Sequence, residues 1–176
     1  MSDIIAYKLN GEIYDTQSIG EHASEAQPIY FDNSEDALKI LRHSCAHLLA
    51  QAVRELYPSA KFFVGPAIED GFYYDMRVSK DNGEKLGEED LKAIEKKMRA
   101  LAEANLEIKK IASTKEAVAK KYANDDLKQE VLKRIPEGSV SLYAQGEFED
   151  ICRGPHVQNT KFLKNFALTR IAGAYL

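Results

Sequence analysis

The longest stretch of helical periodicity in the chain lies between residues 35 and 57. Its apolar side chains recur every three or four residues and form one stripe: Leu38, Leu41, Cys45, Leu48, Leu49, Ala52 and Leu56. Asp32-Asn33-Ser34 supplies N-cap chemistry before this stretch. Pro58 ends it, because the residue before a proline avoids the helical conformation. The pattern predicts one long helix that ends at about Tyr57.

The opposite face of this predicted helix carries two histidines. His43 and His47 point in the same direction, because residues four apart on a helix share a face. Such a face is normally charged and exposed to water, yet no acidic or basic residue other than histidine occurs from His43 to Val53. A face that is neither apolar nor charged indicates that another part of the protein covers it, such as the wall of a pocket.

The rest of the pattern predicts hairpins and shorter helices. Strands are predicted as a hairpin over 4–16 that turns at Asn10-Gly11, then at 29–31, within 61–78, and at 106–111, 140–143, 148–151 and 166–172. Helices are predicted at 88–104, after a capping box at Ser113-x-x-Glu116, and at 125–134. Hairpins interrupted by helices indicate an α+β fold with a mostly antiparallel sheet, preceded by a small N-terminal β appendage over residues 1–34.

Composition narrows the class of protein. The 176 residues suit one domain with a small appendage, and the 44% hydrophobic and 30% charged fractions are typical of soluble proteins. No apolar stretch approaches the roughly 18 residues that span a bilayer, and the start lacks the features of a secretory signal. With two cysteines and no disulfide framework, we expect a cytoplasmic protein with reduced thiols and no membrane partner. The net charge of −4 disfavours a free-standing nucleic-acid binder.

Three of the four histidines and one of the two cysteines occupy the ligand positions of two short motifs, His43-x-x-x-His47 and Cys152-x-x-x-His156. Gly154-Pro155 makes the second motif a bend, and strand alternation places Asp150 beside Cys152. Alone, the first motif is more often a hydrogen-bonded, partly buried pair than a site, and the second is more often a surface loop with an exposed acid and a buried cysteine. Together, the four side chains match a tetrahedral zinc site or, with the neighbouring acid, a metal-free hydrolytic pocket. Zinc-protease chemistry is disfavoured, because Ser44 stands where its glutamate is needed.

Three segments, His43 to Gln51, Val64 to Asp75 and Asp150 to His156, closely resemble the editing domain of bacterial threonyl-tRNA synthetase. The ending Thr169 to Tyr175 resembles the segment that follows that domain. The resemblance covers residues 35–176 in the same order. Both two-ligand motifs also occur in alanyl-tRNA synthetase editing domains and their free-standing relatives. The sequences Gly-Phe-Tyr-Tyr-Asp and Cys-Arg-Gly-Pro-His favour the threonyl branch.

The resemblance implies hydrolysis of the ester in seryl-tRNA made by mistake for threonine. The expected partner is therefore the acceptor end of tRNA(Thr) carrying serine. One methyl group distinguishes the two amino acids and supplies only about 1–3 kcal/mol of discrimination, so a second pocket is needed. The family's fuller ubiquitin-like domain is reduced here to residues 1–34. Its class II catalytic core, which uses ATP and magnesium and forms the homodimer, is absent, so we expect a monomeric fragment that does not aminoacylate.

The resemblance also implies a set of site residues. The catalytic group is His43, Lys128, Asp150 and His156, and the substrate-binding group is His47, Cys152, Gly65 and Tyr74. From these matches we expect Asp150 to orient the serine ammonium and His156 to help position or activate water. His43 and Lys128 are expected to act on the side of the 2′-OH and the 3′-oxygen. No cofactor is expected to be required, and zinc bound by His43, His47, Cys152 and His156 is the alternative. The competing functions are an alanyl-type trans-editing deacylase and a non-catalytic module that binds the tRNA acceptor end or zinc.

Overall fold

A computed structural model describes residues 2–173 and confirms the predicted α+β class. The described residues form four α-helices and ten short β-strands, and every strand pairing among them is antiparallel. None of the helices in this part of the chain is long and apolar enough to cross a membrane. Ala174 and Tyr175, the end of the C-terminal motif, lie outside the described residues.

The N-terminal strands form a sheet of their own in the order β2-β1-β3. Their bounds are Ile4–Leu9 for β1, Glu12–Asp15 for β2 and Gln27–Tyr30 for β3. Asn10 and Gly11 make the predicted turn with φ values of 52° and 82°. A 3₁₀ helix, Gly20–Glu25, precedes β3. This sheet packs directly on the rest of the chain, because three of its apolar side chains belong to the main core: Ile5, Ala6 and Ile29.

The long helix α1 spans Glu35–Leu56, as predicted. Ser34 caps it, because its Oγ accepts a hydrogen bond from the Ala37 N–H at 3.3 Å. Neither of its faces is simply exposed: helix α2 (Leu91–Glu103) packs on one side, and strands β5 (Ala67–Ile68), β6 (Gly71–Phe72) and β10 (Phe148–Ile151) contact another. The face that carries the histidines is therefore covered by protein, as its lack of charge predicted.

Four two-residue strands follow and form nested hairpins: β4 (Lys61–Phe62), β5 (Ala67–Ile68), β6 (Gly71–Phe72) and β7 (Met76–Arg77). Strand β4 pairs with β7, and β5 pairs with β6. Helix α2 (Leu91–Glu103) follows and buries one apolar face against the core, through Ile94, Met98, Leu101 and Ala102.

The second three-stranded sheet carries the C-terminal motif. It has the order β10-β9-β8, with β8 at Ile108–Thr114, β9 at Ser139–Gln145 and β10 at Phe148–Ile151. Two helices connect β8 to β9: α3 (Lys115–Lys121) and α4 (Asp126–Lys133). Asp125 caps α4 by accepting from the Lys128 N–H at 3.1 Å, which fixes the start of the helix that carries Lys128.

Two local predictions were wrong. Helix α3 is capped by Thr114, whose Oγ1 accepts from the Ala117 N–H at 3.1 Å, and not by Ser113, which still belongs to strand β8. Residues 166–172, predicted as a strand, have no regular structure. Side chains of α2 satisfy this backbone instead of a partner strand: Glu95 accepts from the Leu168 N–H at 3.0 Å, and Arg99 donates to the Phe166 carbonyl at 3.3 Å.

Candidate functional site

The middle of α1 and the bend after β10 bring the two sequence motifs together. The side-chain donor atoms of His43, His47, Cys152 and His156 all lie within 4.8 Å of one another. The His43 and His156 rings stack at a centroid distance of 4.1 Å, and the His47 ring lies 4.2 Å from the His156 ring. One cluster of three imidazoles and a thiol is the result.

The bend requires the glycine that the motif provides. Gly154 has φ +79° and precedes a cis peptide bond to Pro155. A Cβ at Gly154 would lie 2.2 Å from the hydroxyl of Tyr143 and 3.2 Å from a carboxylate oxygen of Asp15. Both the left-handed backbone and the close approach therefore exclude other residues at this position.

Hydrogen bonds fix the orientation of the cluster. The Cys152 Sγ lies 3.4 Å from His43 Nε2 and 3.2 Å from His156 Nε2, and it accepts from the Gly154 N–H at 3.3 Å. His43 Nδ1 lies 3.1 Å from the Pro155 carbonyl oxygen. Because a carbonyl can only accept, Nδ1 carries the hydrogen, and in the neutral ring Nε2 is left with a lone pair.

The cluster is electrically neutral at neutral pH. Burial lowers the pKa of His43, and burial together with neighbouring positive groups holds the pKa of His47 and of His156 well below its usual value. Burial raises the pKa of the Cys152 thiol to about 12. The imidazoles are thus available as bases, whereas the sulfur is a thiol rather than a thiolate nucleophile.

The four donors also suit a zinc ion. Zinc bonds of 2.0–2.3 Å in a tetrahedron place donor atoms about 3.3–3.8 Å apart. The two sulfur–nitrogen distances of 3.4 and 3.2 Å are close to that range, while the whole set extends up to 4.8 Å. The hydrogen bond from His43 Nδ1 to a backbone carbonyl is the kind of outer contact that orients zinc-ligating histidines. A small inward movement would complete such a site.

A second polar group lies beside the cluster. Lys128 and Asp150 are 2% and 1% exposed and form a buried ion pair. The Tyr74 hydroxyl donates to the other carboxylate oxygen of Asp150, and the Ile151 N–H donates to Asp150 at 2.8 Å. The Lys128 ammonium also reaches the Phe63 carbonyl at 3.4 Å. The ammonium and the carboxylate of this pair therefore both have hydrogen-bond partners within the protein.

Burial brings the two pKa values of this pair towards each other. Burial lowers the pKa of Lys128 to about 7 and raises that of Asp150 well above its usual value. Burial therefore disfavours the charged form of each group, and the contact between the ammonium and the carboxylate compensates this cost. Such shifted groups beside a cluster of bases are typical of a catalytic site.

Gly65 positions Tyr74. A Cβ at Gly65 would lie 2.2 Å from the ring of Tyr74, so the ring packs directly on the glycine backbone. The hydroxyl then reaches Asp150, and the ring centroid lies 6.0 Å from that of His47. Tyr74 thus connects the Asp150–Lys128 pair with the imidazole cluster.

A cavity of about 780 Å³ lies between the N-terminal sheet, α1 and the bend. Of the eight predicted site residues, His43 lines this cavity. The other members of the catalytic group, Lys128, Asp150 and His156, are buried behind it. His43 is therefore the point at which the cavity meets the cluster. Charged residues of both signs line the cavity, namely Lys8, Glu12, Asp15, Asp36, Lys39, Lys110 and Arg153.

Comparisons with known proteins find similar sequences that include the residues of this site. The family model described as "Threonyl and Alanyl tRNA synthetase second additional domain" matches residues 140–174, which include all of β9 but its first residue, together with β10 and the bend. The chain is 72% identical over 176 residues to the threonine–tRNA ligase of Campylobacter curvus and 70% identical over 178 residues to that of Campylobacter hominis. The chain closely matches threonine–tRNA ligases. The predicted resemblance is thereby confirmed.

The match extends over the whole chain but only over part of each relative. The alignments to the Campylobacter curvus and Campylobacter hominis proteins cover 100% of this chain and 29% of the relative, in its N-terminal region. The threonine–tRNA ligase of Campylobacter jejuni subsp. jejuni is 62% identical over 174 residues, again with 28% of its length covered. The chain therefore spans less than a third of the curated threonine–tRNA ligases that it matches.

The sequence did not identify three residues that contact the cluster. Ser44 Oγ lies 3.0 Å from His156 Nδ1 and accepts from the Val157 N–H at 3.1 Å. Tyr143 and Asp15 contact each other behind the bend. The position of Ser44 between the two histidines was a usable signal, but Asp15 is 141 positions away from His156, and nothing in the sequence links them.

Proposed function

We propose that this domain hydrolyses the ester bond of serine wrongly attached to tRNA(Thr). The observation that carries the proposal is the buried Asp150–Lys128–Tyr74 group set against three neutral imidazoles. It occurs in a chain 72% identical to part of a threonine–tRNA ligase. A ligase that selects threonine must reject serine, and a pocket cannot do so by binding alone when one methyl group is the difference.

The roles follow from the position and protonation of each group. His43 meets the cavity, and its neutral Nε2 can accept a proton on the side of the 2′-OH and 3′-oxygen. Lys128, with its pKa lowered to about 7 by burial, can accept or donate a proton on the same side. Asp150 binds the serine ammonium, which would join or replace Lys128 on the carboxylate. His156 helps position or activate water.

The remaining residues shape the pocket. Gly65 and Tyr74 form the wall towards the serine and the terminal adenosine, and His47 and Cys152 complete the cluster. No metal is needed for these proton transfers. If zinc binds, His43, His47, Cys152 and His156 would hold it, and it would supply Lewis-acid polarisation of the ester. The span of 4.8 Å for these four donors also favours, as a second candidate, a zinc-stabilised module without catalysis.

The decisive experiment offers the purified chain three substrates: Ser-tRNA(Thr), Thr-tRNA(Thr) and Ser-tRNA(Ala). We expect rapid loss of serine from the first and little change in the second. Preferential hydrolysis of the third would support an alanyl-type trans-editing deacylase. Binding of tRNA without hydrolysis of any ester would contradict the proposal and support a docking module.

Variants separate chemistry from binding in the same assay. His43→Ala should abolish hydrolysis while tRNA affinity stays close to that of the unaltered chain. His22→Ala is the matched control, because its imidazole is exposed and is not a member of the cluster. Equal hydrolysis by both variants would remove His43 from the mechanism.

The domain should act as part of a longer protein, since it spans 29% of its Campylobacter curvus relative. We propose that this protein is a cytoplasmic threonine–tRNA ligase. Aminoacylation, with its ATP and magnesium, and the homodimer contact would then lie outside these residues. The division into an N-terminal appendage (1–34) and an editing domain (35–176) belongs to the same proposal.

A further inference from the structure

Asp15, at the end of β2, is a buried carboxylate that the proposed mechanism does not use. It is 1% exposed. One carboxylate oxygen accepts from the Tyr143 hydroxyl and from the His156 N–H at 3.3 Å. The other accepts from the Ser18 N–H at 3.0 Å and from the Ser18 hydroxyl at 2.7 Å. All four partners are donors, which is the arrangement that an ionised carboxylate satisfies.

The partners of Asp15 place it against the back of the bend. Tyr143 belongs to β9, and His156 follows the bend, so the carboxylate joins the N-terminal sheet to both. The backbone of Gly154 lies close to the same two groups, since a Cβ added there would lie 3.2 Å from Asp15 and 2.2 Å from Tyr143. The bend is therefore pressed onto this pair, with no room for displacement towards the N-terminal sheet.

The bend in turn orients His43. Its Pro155 carbonyl accepts the His43 Nδ1–H at 3.1 Å, and its Gly154 N–H donates to the Cys152 sulfur at 3.3 Å. Moving the bend would break the first contact. The His43 ring could then rotate or change tautomer, and Nε2 would no longer be the nitrogen with the lone pair beside Cys152.

We propose that Asp15 is a positioning residue for the editing site. Through the His156 N–H and Tyr143, it holds the bend so that His43 presents an unprotonated Nε2. The N-terminal sheet, although an appendage in chain order, then also contributes to the site. Its effect on hydrolysis rests on the proposed function, whereas its effect on the His43 ring does not.

The chain offers a matched control for simple docking of the N-terminal residues. Gln17 also bridges them to the second sheet: its amide donates to the Ile108 carbonyl at 2.7 Å and accepts from the Lys110 N–H at 2.8 Å. These bonds join the same two parts of the chain without touching the bend. Gln17→Ala therefore weakens docking and leaves the bend in place.

The first test compares Asp15→Asn with Gln17→Ala in hydrolysis of Ser-tRNA(Thr). The amide keeps the shape of the carboxylate but must turn its NH₂ towards donors. For Asp15→Asn we expect kcat to fall about tenfold or more with KM within about twofold. Losing one hydrogen bond to a charged group corresponds to a rate change of about tenfold or more. Gln17→Ala should retain kcat. Tyr143→Phe should also lower kcat, and its effect should not add to that of Asp15→Asn.

The second test reads the histidine directly from the ¹⁵N chemical shifts of the His43 ring. Asp15→Asn should move them away from the Nδ1–H tautomer, and Gln17→Ala should not. A folded Asp15→Asn protein with unchanged kcat and unchanged ring signals, altered only in melting temperature, would overturn the proposal. If the unaltered chain hydrolyses no seryl ester, the proposed function fails, and the ring signals alone decide the role of Asp15.

Discussion

Replacing Gly65 with alanine tests whether Tyr74 is held against Asp150 by backbone contact. The added Cβ would lie 2.2 Å from Tyr74 Cδ2 and 2.5 Å from Cε2, whereas ordinary contacts begin at 3.4 Å. The ring must therefore retreat by about 1.2 Å. It has little room, because Tyr74 is buried and its ring centroid lies 5.6 Å from that of Phe62.

The expected magnitude has two parts. Overpacking of this kind costs about 1–3 kcal/mol, so the free energy of unfolding should fall by that amount. Withdrawal of the Tyr74 hydroxyl removes a hydrogen bond to the Asp150 carboxylate, a contact of about 1.5–3 kcal/mol. If that contact is needed in the transition state, kcat/KM for Ser-tRNA(Thr) should fall at least about tenfold.

Urea denaturation and single-turnover deacylation measure the two parts separately. Gly71→Ala is the matched control: it lies in the same hairpin, and a Cβ there meets nothing within 4 Å. It should be neutral or slightly stabilising. In the double variant Gly65→Ala/Tyr74→Ala, the loss of unfolding free energy should be smaller than the sum of the losses in the two single variants, while hydrolysis stays low. A Gly65→Ala protein as stable and active as the unaltered chain would refute the reasoning.

Three further predictions concern protonation and metal. Hydrolysis should rise as the pH increases through about 7, because burial lowers the pKa of Lys128 to about 7 and the neutral amine replaces the ammonium. Lys128→Met should remove this rise. A Lys128→Met protein with an unchanged pH profile of hydrolysis would contradict the proposed role of Lys128. Cys152→Ser should retain hydrolysis within about tenfold, since burial raises the thiol pKa to about 12, and a loss beyond about a thousandfold would instead indicate a nucleophile. Activity should persist after dialysis against a chelator; elemental analysis showing one zinc per chain, lost together with activity, would indicate a zinc enzyme.

Local chemistry made parts of the fold predictable. The cap at Ser34 and the stop at Pro58 set the limits of α1, and Asn10-Gly11 set the first hairpin, because each depends on a few neighbouring residues. The apolar stripe on α1 was less informative. It omitted Ile40, which is 1% exposed, because a helix covered on several sides has no single buried face.

Predictions failed where two local choices were nearly equal or where distant groups decided. Ser113 and Thr114 are both acceptable N-cap residues. Strand β8 extends to Thr114, so Thr114 directly precedes the first residue of helix α3 and caps it. The apolar residues near Phe166 matched a strand pattern, yet side chains of helix α2 satisfy their backbone. Periodicity records which side chains are apolar, but it carries no information about which partner the backbone finds.

The same limit applies to the candidate site. Spacing and residue type singled out His43, His47, Cys152 and His156, since each pair lies within one short segment, but only the fold brings the two segments together. Lys128 is different: a lysine on a polar helix face is normally solvated, and only the family resemblance selected it. Its burial follows from Asp150, which lies on a different element and compensates the buried charge. A polar residue whose burial depends on such a distant partner cannot be recognised from its own neighbours, and Asp15, paired with residues more than 120 positions away, is the clearest example.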